Sequence, residues 1–271
     1  MSRKILILDI DGTLTNSKKE ITEATKRKLW EIMEAGHMVI LGSGRPTPGM
    51  RRYEKELELK KYGGYLMSFN GGRIVECATG NVISQLVLPM NVPSELFQFA
   101  NMEKCGLISY ENDLVISAFE PDDYVQWEAH INGLEIKVVD NFAEYIDFPE
   151  NKCLMTAPPK KAAEIEKKLQ KIYGETLSVY RSEPYFIEIM PKGVDKAAGI
   201  DSMLRVLGAS RHDTIACGDG FNDISMIKYA EVGVAMANAA EEVKEVADFI
   251  TGSNDEDGLI TVIDKFILGK Y

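Results

Sequence analysis

Apolar residues fall along this chain in two distinct rhythms. Ile5 to Leu8 and Met38 to Leu41 are unbroken apolar runs, whereas Thr22 to Ala35 between them spaces its apolar residues as a helix does. Short runs that are apolar on both sides predict strands of a parallel sheet with helices on each face. Thr22 before the periodic stretch and Gly36 after it predict a helix cap and a helix stop. Further on the rhythm changes. Arg73 to Glu76 with Asn81 to Leu88, and Leu107 to Tyr110 with Leu114 to Phe119, form pairs of runs joined by short turns, which predicts hairpins. Helices are predicted at Ser94 to Lys104, Asp122 to Asn132 and Pro158 to Tyr173, the last closed by Gly174. From Lys196 onward the first rhythm returns: helix, "TIACGDG", helix, "VGVAMA", helix, "DFIT".

The fold class that follows is α/β. A doubly wound parallel-sheet core, residues 1–82 and 187–271, is interrupted by an inserted α+β domain, residues 83–186.

Composition narrows the function. The 271 residues carry a net charge of -11, so a general attraction to nucleic acid or to an anionic membrane surface is not expected. Any anionic ligand must be held by local features. The four cysteines lack a C-x-x-C pair, which argues against structural zinc and for buried free thiols. With a run of only four apolar residues before Asp9, and no long apolar run, a soluble, cytoplasmic protein is expected. His37, His130 and His212 are scattered without partners that would suggest metal ligation.

In doubly wound folds ligands collect beyond the carboxyl ends of the strands, and the residues at those places form a chemical set. Asp9 and Asp11 follow the first strand; Ser43, Gly44 and Arg45 follow the second; Asp219, Asn222 and Asp223 follow a later one. Lys196 opens the helix after the insertion, beside the predicted cap Asp195, at the positive end of the helix dipole. A cation is mildly unfavourable there, which suggests a role other than stability. Two simpler readings fail. Asp9, Asp11, Thr13 and Glu20 fit a calcium-loop spacing, but Leu14 stands where that loop needs Gly. "GSG" and "GDG" lack the third glycine of a dinucleotide loop.

Four aspartates converging on one crevice repel by roughly 1 to 4 kcal/mol per pair at about 4 Å, so a cation must sit among them. An all-oxygen donor set with room for phosphate suits Mg²⁺. Lys196 supplies a second positive charge, and Ser43 and Gly44 supply hydrogen bonds. Phosphoryl transfer needs this kind of positioning and charge neutralisation, and a carboxylate can serve as its nucleophile. Asp9, nearest the rigid strand, is the natural attacker; Asp11, two residues on, is placed to move protons.

"DIDGT", "GSGR", the Lys of "KGVDKAAGI" and "GDGFNDISMI" resemble, in order, the four motifs of the haloacid dehalogenase (HAD) superfamily, in its Cof-like phosphatase branch; "FNGG" and "SNDEDG" also resemble that branch. The resemblance implies a Rossmann-like core with an α/β cap inserted between the second and third motifs, and a small phosphorylated metabolite as substrate. It implies Mg²⁺ held by the Asp9 carboxylate, the Asp11 main-chain carbonyl and Asp219, with Asp223 close by, and Asn222 touching phosphate and helping to fix Lys196. Ser43 stands where Thr is frequent in the branch. Phosphotransfer to another alcohol is the first competing activity, and a non-catalytic phospho-receiver module the second. Arg45, with Arg181, Glu183 and Tyr185, is a candidate for contacting the organic part of the substrate. "TNSKKE", Thr15 to Glu20, reads either as a mobile flap or as an ordinary polar loop; "SNDEDG" reads as a capping segment before Leu259.

Overall fold

A computed structural model describes residues 3–270. Five strands come first: β1 (Ile5–Leu8), β2 (Met38–Gly42), β3 (Tyr65–Ser68), β4 (Arg73–Glu76) and β5 (Val82–Gln85). Six follow: β6 (Gly106–Glu111), β7 (Leu114–Ser117), β8 (Glu135–Val138), β9 (Cys153–Thr156), β10 (Leu177–Glu183) and β11 (Phe186–Pro191). Three close the chain: β12 (Thr214–Gly218), β13 (Val232–Ala235) and β14 (Phe249–Ile250).

The chain divides into two compact units, one running to Ser84 and resuming at Asp195, the other Gln85–Val194. The second unit extends beyond the expected return at about residue 187 because β11 pairs with β10 and β9 in the second sheet.

In the first unit eight strands form one sheet in the order β14-β13-β12-β1-β2-β3-β4-β5. β14 through β3 pair in parallel, and β4 runs antiparallel to β3. Alternate residues of each central strand enter separate cores. Leu6, Leu8, Val39 and Leu41 pack with Leu29, Ile32, Val262 and Ile263 on one face. Ile5, Ile7, Met38 and Ile40 pack with Ile200, Met203 and Ile227 on the other. That is the two-sided burial the unbroken apolar runs require. The first helix, Glu23–Glu34, is capped by Thr22, whose hydroxyl accepts from the Thr25 amide.

In the second unit the order is β10-β11-β9-β6-β7-β8, antiparallel except for β7 and β8. Helices Val92–Glu103 and Pro159–Tyr173 cover one face through Leu96, Ala100, Ile165 and Leu169. The strand expected over Asn81 to Leu88 ends at Gln85, and the Leu88 amide instead donates to the Glu150 carbonyl, 2.7 Å away. All four cysteines are buried and free. No helix among the described residues is long and apolar enough to cross a membrane.

Candidate active site

Parallel pairing sets the site. Leu8 lies beside Leu41 on one side and Cys217 on the other, so the residues that leave β1, β2 and β12 emerge at one edge of the sheet. Asp9, Ser43 and Asp219 are those residues. Lys196 reaches the same place from the start of the Lys196–Leu207 helix, which Asp195 caps by accepting from the Ala198 amide.

The Lys196 ammonium is fully buried and all its hydrogens have partners. Nζ donates to Asp9 Oδ1 at 2.6 Å, to Asp223 Oδ1 at 2.5 Å and to the Gly42 carbonyl at 2.9 Å. The other oxygen of Asp223 accepts from the amides of Asp219 and Gly220. Asp223 is therefore a hub that ties the β12 turn to the buried lysine. A buried ion pair is stable only when its remaining hydrogen-bonding capacity is met, and that of Lys196 and Asp223 is. Burial opposes the charge on Lys196, but Asp223 and Asp9 outweigh it and raise its pKa.

Asp9 gives one oxygen, Oδ1, to Lys196. Burial first, then the charge of Asp223, raise the Asp9 pKa well above the carboxylate range although Lys196 opposes them. Burial also raises Asp219, to about 6, against the hydrogen bond it accepts from Thr13 Oγ1 at 2.7 Å. Oxygens of Asp9, Asp219 and Asp223 all lie within 4.8 Å of one another. Three hard carboxylate donors, of which Asp9 and Asp219 have raised proton affinity, with one ammonium beside them form a set that fits a small divalent cation.

Asp11 departs from the expected convergence. Its carboxylate turns to Arg45, which donates from Nε to Oδ2 at 2.7 Å and from NH2 to Oδ1 at 2.9 Å, and to Lys19 Nζ at 2.9 Å. Burial alone would raise it; the hydrogen bonds and charges of Arg45 and Lys19 prevail and hold it at about 2. Arg45, placed by the sequence near the organic part of a ligand, is thus engaged with Asp11. Asn222 also differs from expectation: it donates to Asn70 Oδ1 at 3.0 Å, while Lys196 is fixed by Asp9, Asp223 and Gly42. Ser43 is buried, and its hydroxyl accepts from the Arg45 amide at 3.2 Å. Gly44 has the Asn70 side chain against it, at 3.2 Å from where a Cβ would stand. Arg181, by contrast, pairs with Glu166 inside the second unit.

Two glycines are dictated by close approach. Gly12 has φ +86°, and a Cβ there would lie 2.3 Å from Asp219 Oδ2; at Gly218 a Cβ would lie 2.4 Å from that of Asp223. No periodic pattern or strand end in the sequence marks Thr13, Lys19 or Asn70 as a partner of the site's side chains. Asn70 was the most accessible of these, since it lies within "FNGG", adopts a left-handed backbone at φ 53° and closes the turn after β3.

Residues 6–263 match the family described as haloacid dehalogenase-like hydrolase. A haloacid dehalogenase-like hydrolase from Bacteroides thetaiotaomicron has a crystal structure similar to this one, with TM-score 0.94 and 39% identity, covering 98% of this chain and 100% of that one. The HAD subclass IIB sugar phosphatase BT4131 is similar at TM-score 0.81 and 27% identity, over 97% of this chain and 98% of that one. A 5-amino-6-(5-phospho-D-ribitylamino)uracil phosphatase of Bacillus subtilis, YcsE, is 27% identical over 265 residues, 98% of this chain and 96% of its own length. With its parallel core, its four motifs in order and a match across nearly its whole length, the chain belongs to the haloacid dehalogenase-like hydrolases, in their Cof-like phosphatase branch.

Proposed function

We propose that this phosphatase is Mg²⁺-dependent and hydrolyses a small organic phosphate monoester, such as a sugar phosphate, in two steps through a phospho-aspartate at Asp9. The observation that carries the reading is the buried Lys196 ammonium between Asp9 and Asp223, with Asp219 alongside. Asp9 and Asp219, with the Asp11 main-chain carbonyl, would hold the ion, and Asp223 would lie close by. When bound, Mg²⁺ would neutralise charge on the phosphate and so permit a carboxylate to approach it.

Lys196 would exchange one of its present partners for a phosphate oxygen, Ser43 would bind another, and Asn222, held by Asn70, presents its amide beside them. Asp9 then attacks. A bond forms from its free carboxylate oxygen to phosphorus as the bond from phosphorus to the leaving oxygen breaks, and Asp11 gives that oxygen a proton. Asp11 next takes a proton from water, whose oxygen attacks the phospho-aspartate. The bond from phosphorus to Asp9 breaks, and inorganic phosphate leaves. For the first step Asp11 must hold a proton, which Arg45 and Lys19 oppose in the free protein. An incoming phosphate dianion competes for both cations and so relaxes their hold. The unit that runs to Ser84 and resumes at Asp195 is thus the catalytic core, and Gln85–Val194 a cap that carries the choice of organic group.

Free phosphate release from a panel of sugar and other small phosphates tests this, with Mg²⁺ and with chelator. Expected is Mg²⁺-dependent release that Asp9→Ala abolishes. Residual Mg²⁺-dependent turnover in that variant, or transfer of the phosphate to an added alcohol in preference to water, would overturn the respective step.

A further inference from the structure

The "SNDEDG" segment contributes none of the groups assigned above, yet it is tied to the turn that leads away from Asp11. Asn238 Nδ2 donates to the Gly12 carbonyl at 2.8 Å, and Asn254 Nδ2 donates to the Thr15 carbonyl at 2.8 Å. The two asparagines are themselves joined, the Asn254 amide donating to Asn238 Oδ1 at 3.0 Å. Next along, Asp255 Oδ1 accepts from the Ser17 amide at 2.7 Å, and Asp257 Oδ1 accepts from the hydroxyls of Thr22 and Thr25. Asp255 is thereby an acceptor toward the loop, and Asp257 toward the start of the helix that follows it.

The clasp is itself rigid. Ser253 Oγ donates to Glu256 Oε2 at 2.8 Å, and the Glu256 and Gly258 amides both return to the Ser253 carbonyl. Gly12 gives the turn a left-handed corner, and its other bonds run from the Leu14 amide to the Asp9 carbonyl, from the Thr15 amide and hydroxyl to the Ile10 carbonyl, and from the Thr13 hydroxyl to Asp219. None of these touches the carbonyls of Gly12 or Thr15, which the two asparagines hold. Asn238 serves because an amide both donates and accepts; an aspartate of the same shape would keep the bond to the Asn254 amide and set a carboxylate against the Gly12 carbonyl.

We propose that Asn238 and Asn254 are positioning residues that hold the Gly12 to Thr15 turn so that the Asp11 carboxyl stays aligned with the leaving-group oxygen. This rests on the reading of Asp11 as the proton donor. Misplacement of a catalytic group by about 1 Å costs up to about 100-fold, and the loss falls on the step that group serves.

The test compares kcat/KM for phenyl phosphate, whose leaving group needs a proton, with that for 2,4-dinitrophenyl phosphate, whose leaving group does not. The holoenzyme, Asn238→Asp, Asn238→Ala, Asn254→Asp and Asp11→Asn are measured, each checked for folding by its urea midpoint. Expected is a loss of about 10- to 100-fold on phenyl phosphate in the asparagine variants, with less than about threefold on the dinitrophenyl ester, and the same pattern, larger, in Asp11→Asn. Asn238→Ala removes the amide without adding charge and must show the pattern too. Equal losses on both esters, or none, in the folded asparagine variants overturn the positioning role while Asp11→Asn keeps its pattern. Should Asp11→Asn lose both esters equally, the donor role of Asp11 fails, and the positioning role with it.

Discussion

Arg45 grips Asp11 with two parallel hydrogen bonds, Nε to Oδ2 at 2.7 Å and NH2 to Oδ1 at 2.9 Å. Paired bonds of this kind are the strong form of the contact between arginine and a carboxylate, and Lys19 adds a third from the other side. The carboxyl that has to give up a proton in the proposed chemistry is therefore ionised in the free protein. Its pKa falls from 3.8 to about 2, so the stability it contributes is present above about pH 4 and is lost as pH falls toward about 2. Arg45→Ala should melt lower than the parent protein at neutral pH, and the gap should close in acid over that window. Thermal melts of the two proteins at matched pH measure it; a gap that stayed constant down to about pH 2 would show that Asp11 is not the group held by Arg45.

Lys196 is a buried cation that pairs with both Asp9 and Asp223. Removing one partner of a buried ion pair leaves the other charge uncompensated and costs about 3 to 5 kcal/mol. Lys196→Met should therefore lower stability by about that amount and abolish phosphate release. Added Mg²⁺ should restore more stability to Lys196→Met than it adds to the parent, because a cation relieves the charges left behind. Urea unfolding with and without Mg²⁺ provides the comparison, and an equal gain in both proteins would contradict it.

How much of this was readable beforehand depended on what kind of position each residue holds. Asp9, Ser43 and Asp219 each follow a strand that the apolar rhythm identifies, and Lys196 opens a helix with a recognisable cap, so topology alone brought them to one edge of the sheet. Arg45 and Asp11 are also strand followers, but nothing local tells a guanidinium which carboxylate it will meet 34 residues away. Lys19, Thr13 and Asn238 act from turns, where side-chain direction is set by a few left-handed residues such as Gly12 and by no periodic pattern. The end of the insertion was obscured for another reason: β11 is a buried strand like those of the core, and only its pairing with β10 and β9 assigns it to the second sheet.

At the proposed metal site, protons and a metal ion would compete for the same oxygens. Asp219 is raised to about 6 and Asp9 is raised as well, so the metal-free protein carries protons there that binding must displace. For a carboxyl raised in this way the stabilising effect is complete below its ordinary pKa of 3.8 and is lost as pH rises through about 6. The Mg²⁺-induced rise in melting temperature should therefore grow across that interval. Calorimetry at about pH 6 in two buffers of different ionisation enthalpy should show proton release on binding. Buffer-independent heats would argue against Asp9 and Asp219 as the ligands.

Gly12 offers the sharpest steric test of the arrangement. Its φ of +86° disfavours any L side chain, and a methyl group there would stand 2.3 Å from Asp219 Oδ2, far inside contact distance. The left-handed backbone alone costs about 1 to 2 kcal/mol for a residue with a Cβ. The collision adds a specific effect, because either Asp219 swings away or the turn carrying Asp11 is pushed outward. Gly12→Ala should thus lose stability by about 1 to 2 kcal/mol and also weaken Mg²⁺ binding by at least about tenfold. Gly36 provides the control: it too has a left-handed backbone, at φ +91°, but nothing lies within 4 Å of its would-be Cβ. Gly36→Ala should show the same backbone cost with metal affinity and turnover unchanged. If Gly12→Ala kept full Mg²⁺ affinity and activity at its lower melting temperature, the close packing of the turn on Asp219 would not be what holds the proposed metal site in shape.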